Sequence, residues 1–121
     1  MIPKLETAVT PSWRVRGKVI RLLRLRLTAL PAGATAELRC TGKRCPLRRT
    51  RTFKEKAGRI DLLKPLDRDQ LRFKAGQRVE LRVLAPLRHG LVVRWSLKRG
   101  KRPVPQVLCL PLGAAKPRAT C

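Results

Sequence analysis

The sequence predicts an all-β protein: a single immunoglobulin-like antiparallel β-sandwich of about seven or eight short strands. Two observations carry this. Apolar and polar residues alternate with period two in four segments, Leu23–Ala29, Ala34–Cys40, Gln77–Val83 and Leu91–Leu97. Gly- and Pro-bearing turns separate these segments at intervals of roughly 8–14 residues, the spacing of a sandwich or barrel. A small closed β-barrel is the alternative arrangement of the same strands.

Residues 1–12 contain Pro3 and Pro11 and are read as a loose lead-in, 13–110 as the sandwich domain and 111–121 as a tail. Leu23, Leu25, Leu27 and Ala29 alternate with Arg24, Arg26 and Thr28, as in a half-buried strand. Ile20 and Leu22 break that phase, which implies a bulge or a second strand. Pro31-Ala32-Gly33 turns the chain, and Ala34, Ala36, Leu38 and Cys40 form the inward row of the next strand. Arg48 to Phe53 is an edge-strand candidate ended by Gly58, and Ile60 and Leu62 begin another. Lys64 to Leu71 is a loop or single helical turn. Leu30–Arg39 and Phe73–Arg82 share the pattern apolar-x-Ala-Gly-x-x-apolar-Glu-Leu-Arg. A Gly turn feeding an equivalent strand explains both copies; two copies are too few for a solenoid. Val79, Leu81 and Val83 face inward, as do Leu91, Val93, Trp95 and Leu97, and Val104 to Leu110 is the final strand.

Thirty Lys and Arg against seven Asp and Glu give a formal charge of +23 on 121 residues. Such an imbalance selects for anionic partners and repels itself at low salt. Hydrophobic residues still make up 43%, enough for a folded core rather than a disordered basic tail. Arg interrupts the apolar stretches too often for a membrane-spanning helix. Lys4, Glu6 and Pro11 interrupt the opening, which shows no secretory h-region.

Cys40, Cys45, Cys109 and Cys121 allow three disulfide connectivities. Local pairing, Cys40–Cys45 and Cys109–Cys121, is the simplest, contributing about 2 and about 3 kcal/mol in the chain-entropy model. A four-cysteine zinc site and buried thiols are the competing states; only the first pair has the spacing that zinc sites prefer. Disulfides would imply an oxidising, extracytoplasmic compartment.

Trp13-Arg-Val-Arg-Gly17, Leu30-Pro-Ala-Gly33, Arg39-Cys-Thr-Gly-Lys-Arg-Cys-Pro46, Leu71-Arg-Phe-Lys-Ala-Gly76, Val79-Glu-Leu-Arg-Val83 and Cys109-Leu-Pro-Leu-Gly113 with a terminal Cys121 run through residues 13–121. This set resembles a small Cys-bearing β module of secreted and cell-surface proteins of high-GC actinobacteria. The resemblance implies an extracytoplasmic sandwich and no catalytic role. The Gly-x-x-Gly turn of that pattern is replaced here by Pro86-Leu-Arg-His-Gly90.

Few residues offer chemistry. His89 is the single histidine and lies in a turn; Ser12 and Ser96 are the only serines. Glu37 and Glu80 occupy equivalent strand positions near Arg, which points to cross-strand ion pairs rather than acid–base work. Asp61, Asp67 and Asp69 lie among cations that oppose metal binding, and no phosphate loop or zinc helix motif is present. The expectation is a non-enzyme without cofactor, metal or small-molecule substrate. Binding fits better. Lys43, Arg44, Arg48, Arg49, Arg51, Lys54 and Lys56 form one basic cluster; Lys98, Arg99, Lys101 and Arg102 form a second. Such clusters engage wall polysaccharide, nucleic acid or acidic lipid surfaces, and a solvated basic edge is their bland reading. Phe53 is the sole aromatic in the first cluster, which disfavours base stacking. The leading reading is a non-catalytic extracytoplasmic interaction module for anionic polymers; the alternative is an intracellular domain contacting nucleic-acid phosphates.

Overall fold

Ala8–Arg16 (β1) and Val19–Leu30 (β2) form an antiparallel hairpin over Gly17-Lys18. Thr35–Thr41 (β3), Arg51–Lys54 (β4), Gly58–Asp61 (β5), Arg72–Lys74 (β6), Arg78–Leu84 (β7), Gly90–Ser96 (β8) and Pro105–Leu110 (β9) follow. The computed structural model describes residues 2–47, 51–54, 58–63 and 66–121, of which 51–54 and 58 are described as backbone alone. A four-stranded sheet runs β1-β2-β5, with β6 also paired to β2. A five-stranded sheet runs β4-β3-β7-β8-β9. All pairings between these strands are antiparallel, and the two sheets share one apolar core, as the alternation predicts.

That core takes Ile20, Leu22, Leu25 and Leu27 from β2, Phe73 from β6, Leu38 from β3, Val79, Leu81 and Val83 from β7, and Val93 and Trp95 from β8. Each side chain is almost wholly buried; full burial of a residue of this size contributes about 1.5–3 kcal/mol. Trp13, on β1, lies edge-on to Trp95 of the opposite sheet at 5.7 Å and to Phe73 at 6.3 Å. This aromatic trio joins the sheets where β1 has no further neighbour.

The phase break in β2 is a bulge. Ser12 pairs with Arg24 and Trp13 with Leu22, so Leu23 has no partner and turns half-exposed to solvent. Leu23 therefore leaves the inward row that period two assigns it. Ala29 leaves it too: its backbone is left-handed at φ 58°, where the β2–β5 register shifts. The two irregularities let one strand place Ile20, Leu22, Leu25, Leu27 and Leu30 all inward.

Among the described residues nine strands stand where seven or eight are expected. The extra one, β6, has only three residues and hides in the approach to the Gly76 turn. β1 begins at Ala8, inside the segment read as lead-in. β1 is an edge strand, the place in a sheet where Pro11 is tolerated. Gly58 opens β5 rather than closing the strand before it. The helical turn expected in 64–71 is a 3-10 turn at Arg68–Leu71, with Asp67 N–H donating to Gln70 Oε1 at 3.0 Å; residues 64 and 65 lie outside the described residues.

Both local disulfides are formed, Cys40–Cys45 and Cys109–Cys121, with Cα separations of 5.9 and 5.7 Å, and the zinc and thiol alternatives fall away. The C-terminal tail folds back along β9. Arg118 exchanges backbone hydrogen bonds with Cys109, the Leu112 N–H donates to His89 Nδ1 at 2.9 Å, and Arg82 Nη1 donates to the Ala115 carbonyl at 3.2 Å. Val92 lies on this outer side of β8, beside Leu108 in the register, and is fully buried though it belongs to no part of the inner core. His89 thus serves as an anchor for the tail.

Candidate functional site: a basic pole

The strand directions bring four connections to one end of the sandwich: Gly17-Lys18, the 42–47 loop, the Ala75–Gln77 turn and the 97–104 loop. Hydrogen bonds knit them. Gly100 N–H donates to the Gly17 carbonyl at 2.8 Å, Ala75 N–H to the Lys18 carbonyl at 2.8 Å, Gly76 N–H to the Leu97 carbonyl at 2.8 Å and Leu97 N–H to the Gln77 carbonyl at 3.0 Å. Gln77 adds a side-chain bridge. It is almost fully buried, accepts the Lys74 N–H at Oε1 (2.9 Å) and donates from Nε2 to the Lys43 carbonyl (2.8 Å). A buried amide satisfied in this way holds the two loops to each other.

Gly42 shows how closely they approach. Its φ of +120° suits glycine, and a Cβ there would stand 3.2 Å from the Gln77 backbone Cα. The Cys40–Cys45 disulfide closes the same loop from its base. Lys43 and Arg44 are consequently held out into solvent on a fixed loop.

The Lys43-Arg44 end of the first sequence cluster therefore meets the second cluster. Lys43, Arg44, Lys98, Arg99, Lys101 and Arg102 are all exposed at this pole, and Lys18, Lys74 and Arg78 join them from the turns and strand ends. Residues 16–18, 42–47, 72–78 and 97–104 contain no Asp or Glu. A groove of about 330 Å³ opens between Ser96, Lys98, Lys101, Arg102 and Val104. Other members of the first cluster are placed differently. β4 runs away from the pole, since Leu38 pairs with Arg51 and Thr35 with Lys54; the backbones of Arg51 and Lys54 lie along that strand. Arg48, Arg49 and Lys56 lie outside the described residues.

Charge is treated differently on the outer face of the five-stranded sheet. Glu80 of β7 is buried and receives Arg94 Nε at 2.6 Å and Arg82 Nε at 3.2 Å. Arg39 Nε lies 3.5 Å from the same carboxylate, outside hydrogen-bond geometry. Burial alone would push the Glu80 carboxyl up. The hydrogen bonds and charges of Arg94 and Arg82 outweigh it and hold the carboxyl below the usual carboxylate range. Arg39 also reaches Glu37 at 3.7 Å. Arg94–Glu80 and Arg39–Glu80 are cross-strand ion pairs of the kind the repeated Glu-Leu-Arg predicts, and Arg82–Glu80 and Arg39–Glu37 add pairs within β7 and within β3.

Among the described residues no three His, Cys, Asp or Glu side chains converge as metal ligands, and no helix is long and apolar enough to cross a membrane. Asp61 accepts the Leu63 N–H at 3.1 Å and so shapes the chain leaving β5. Sequence reasoning missed Gln77 altogether; its one signal is an uncharged amide in the second copy of the repeat, beside a turn, where a buried partner is not foreseeable. Comparisons with protein-family models, curated proteins and solved structures return no match.

Proposed function

We propose that this chain is a non-catalytic, extracytoplasmic interaction module that binds anionic polymers through its basic pole. The observation that carries the reading is the convergence of Lys43-Arg44 with Lys98–Arg102 on loops held by Gln77 and Gly17 and free of carboxylates. Fixed cations lose little freedom on binding and release the counterions of a polyanion. The two disulfides are consistent with an oxidising compartment. The neighbour relations β1-β2-β6 and β4-β3-β7-β8 fit an immunoglobulin-like connectivity, and the motif resemblance to actinobacterial surface modules points the same way.

The test is heparin and single-stranded DNA binding across a salt series. Replacing Lys98, Arg99, Lys101 and Arg102 with Gln should weaken both polymers and flatten the dependence on log salt, because fewer phosphate or sulfate contacts release fewer ions. Unchanged affinity and slope in that variant would refute the pole as the binding surface. Preference for one DNA sequence would point to base readout instead.

A further inference from the structure

The outer faces of the two sheets carry matching three-strand rows of charge with one difference. On the five-stranded sheet the row across β3, β7 and β8 reads Arg39–Glu80–Arg94, each residue directly opposite the next. On the four-stranded sheet the row across β1, β2 and β6 reads Arg14–Arg21–Arg72, again directly opposite. A carboxylate stands at the centre of the first row and an arginine at the centre of the second.

Like charges directly opposite on neighbouring strands destabilise a sheet. Three guanidinium-bearing positions on adjacent strands span only about 10 Å, from the inter-strand spacing. Among the described residues no carboxylate lies within ion-pair distance of Arg14, Arg16, Arg21 or Arg72. Arg14, Arg16 and Arg72 are exposed and Arg21 is half-buried. With Val19 they line a concavity of about 280 Å³. Guanidinium groups bind tetrahedral oxyanions through paired, charge-assisted hydrogen bonds.

We propose that this arginine row is a second anion site, adjoining the pole at Arg16 and Arg72 but lying on the sheet face rather than on the 42–47 and 97–104 loops, and that it takes a phosphate group in the position Glu80 fills on the other sheet. A phosphate monoester carries about −1.5 to −2 at neutral pH, and inorganic phosphate likewise carries more than one negative charge, which suits a row of three cations better than one carboxylate does. The group can arrive as the free anion or borne on a polymer; the row recognises the same oxygens in either case.

The experiment compares thermal unfolding and amide chemical shifts of the whole chain with added inorganic phosphate and with linear polyphosphate, in low-salt buffer free of phosphate. Wild type should gain melting temperature with phosphate, as ligand linkage requires. Shifts should centre on Arg14, Arg21 and Arg72. Arg21→Glu recreates the Arg–Glu–Arg row; it should melt higher than wild type without ligand and lose the response to phosphate. Arg14→Gln, at an exposed edge position, should bind phosphate about tenfold more weakly, and it keeps the test open should Arg21→Glu fold poorly. Saturation by inorganic phosphate would identify the free anion as sufficient. A response to polyphosphate alone, with the same variant dependence, would identify the polymer-borne group. An equal phosphate response in wild type, Arg21→Glu and Arg14→Gln would overturn the proposal. So would a response abolished by the Lys98–Arg102 replacements and retained in the row variants, and that result would leave the pole reading intact.

Discussion

Leu38 stands directly opposite Leu81, and around this pair the two Glu-Leu-Arg triplets meet in reverse, Glu37 against Arg82 and Arg39 against Glu80. The triplet is self-complementary only when its two copies run antiparallel. The internal repeat is thus a pairing signal as well as a turn signal: it places one leucine pair in the core and opposite charges outside. Glu80, at the centre of the sheet, is also bonded by Arg94 of β8.

Glu80→Gln should destabilise the protein by about 2–4 kcal/mol, since it leaves Arg39, Arg82 and Arg94 clustered without their counter-charge. The pH dependence follows from the lowered carboxyl. Its contribution is fully present above the unfolded-state Glu value of about 4.3 and is lost as pH falls through the lower folded value. Urea unfolding of wild type from pH 6 to pH 2 should show an acid-side loss that Glu80→Gln reduces; parallel curves would exclude Glu80 as its source.

Gly90→Ala should cost about 1–3 kcal/mol. A Cβ at this position would meet Leu84 Cδ2 at 2.8 Å, the Val83 carbonyl oxygen at 3.1 Å and Leu110 Cβ at 3.2 Å. The side chain of Leu84 can yield; the β7 backbone cannot without disturbing its ladder to β8. Chemical denaturation reads the effect, and an unchanged midpoint would show that the ladder does yield.

Gln77→Ala should lower stability by about 1–3 kcal/mol, because the Lys43 carbonyl and the Lys74 N–H lose a buried partner. It should also weaken heparin binding although it removes no charge, by releasing the Lys43-Arg44 loop from the pole. Destabilisation with heparin affinity intact would mean that the loop is held in place by the disulfide alone.

Intact mass before and after reduction should differ by about 4 Da, two hydrogens for each disulfide. Replacing Cys109 and Cys121 with Ser should cost about 3 kcal/mol and loosen the tail. Faster hydrogen exchange at Arg118 and Cys109, which bond each other's backbones, reports this directly; unchanged exchange would mean that His89 and Arg82 hold the tail unaided.

Strand type and most of the inward rows were legible from period two because one face of each strand is buried. Leu25, Leu27, Leu38, Val79, Leu81, Val83, Val93 and Trp95 all lie in the core for that reason. The local disulfides were legible because each pair closes a short loop. Charge and its clusters along the chain were equally visible. What pairs across space was not. The Leu23 bulge is set by how β1 registers on β2, the burial of Val92 lies outside the inner core on the side where the tail folds back, and the Gln77 bridge depends on two loops arriving at one end. The contrast between Arg39–Glu80–Arg94 and Arg14–Arg21–Arg72 exists only in register, between residues up to 58 positions apart in the chain. Local patterning determines which face of a strand is buried; only the packing of distant strands decides which charges are neutralised and which remain for a partner.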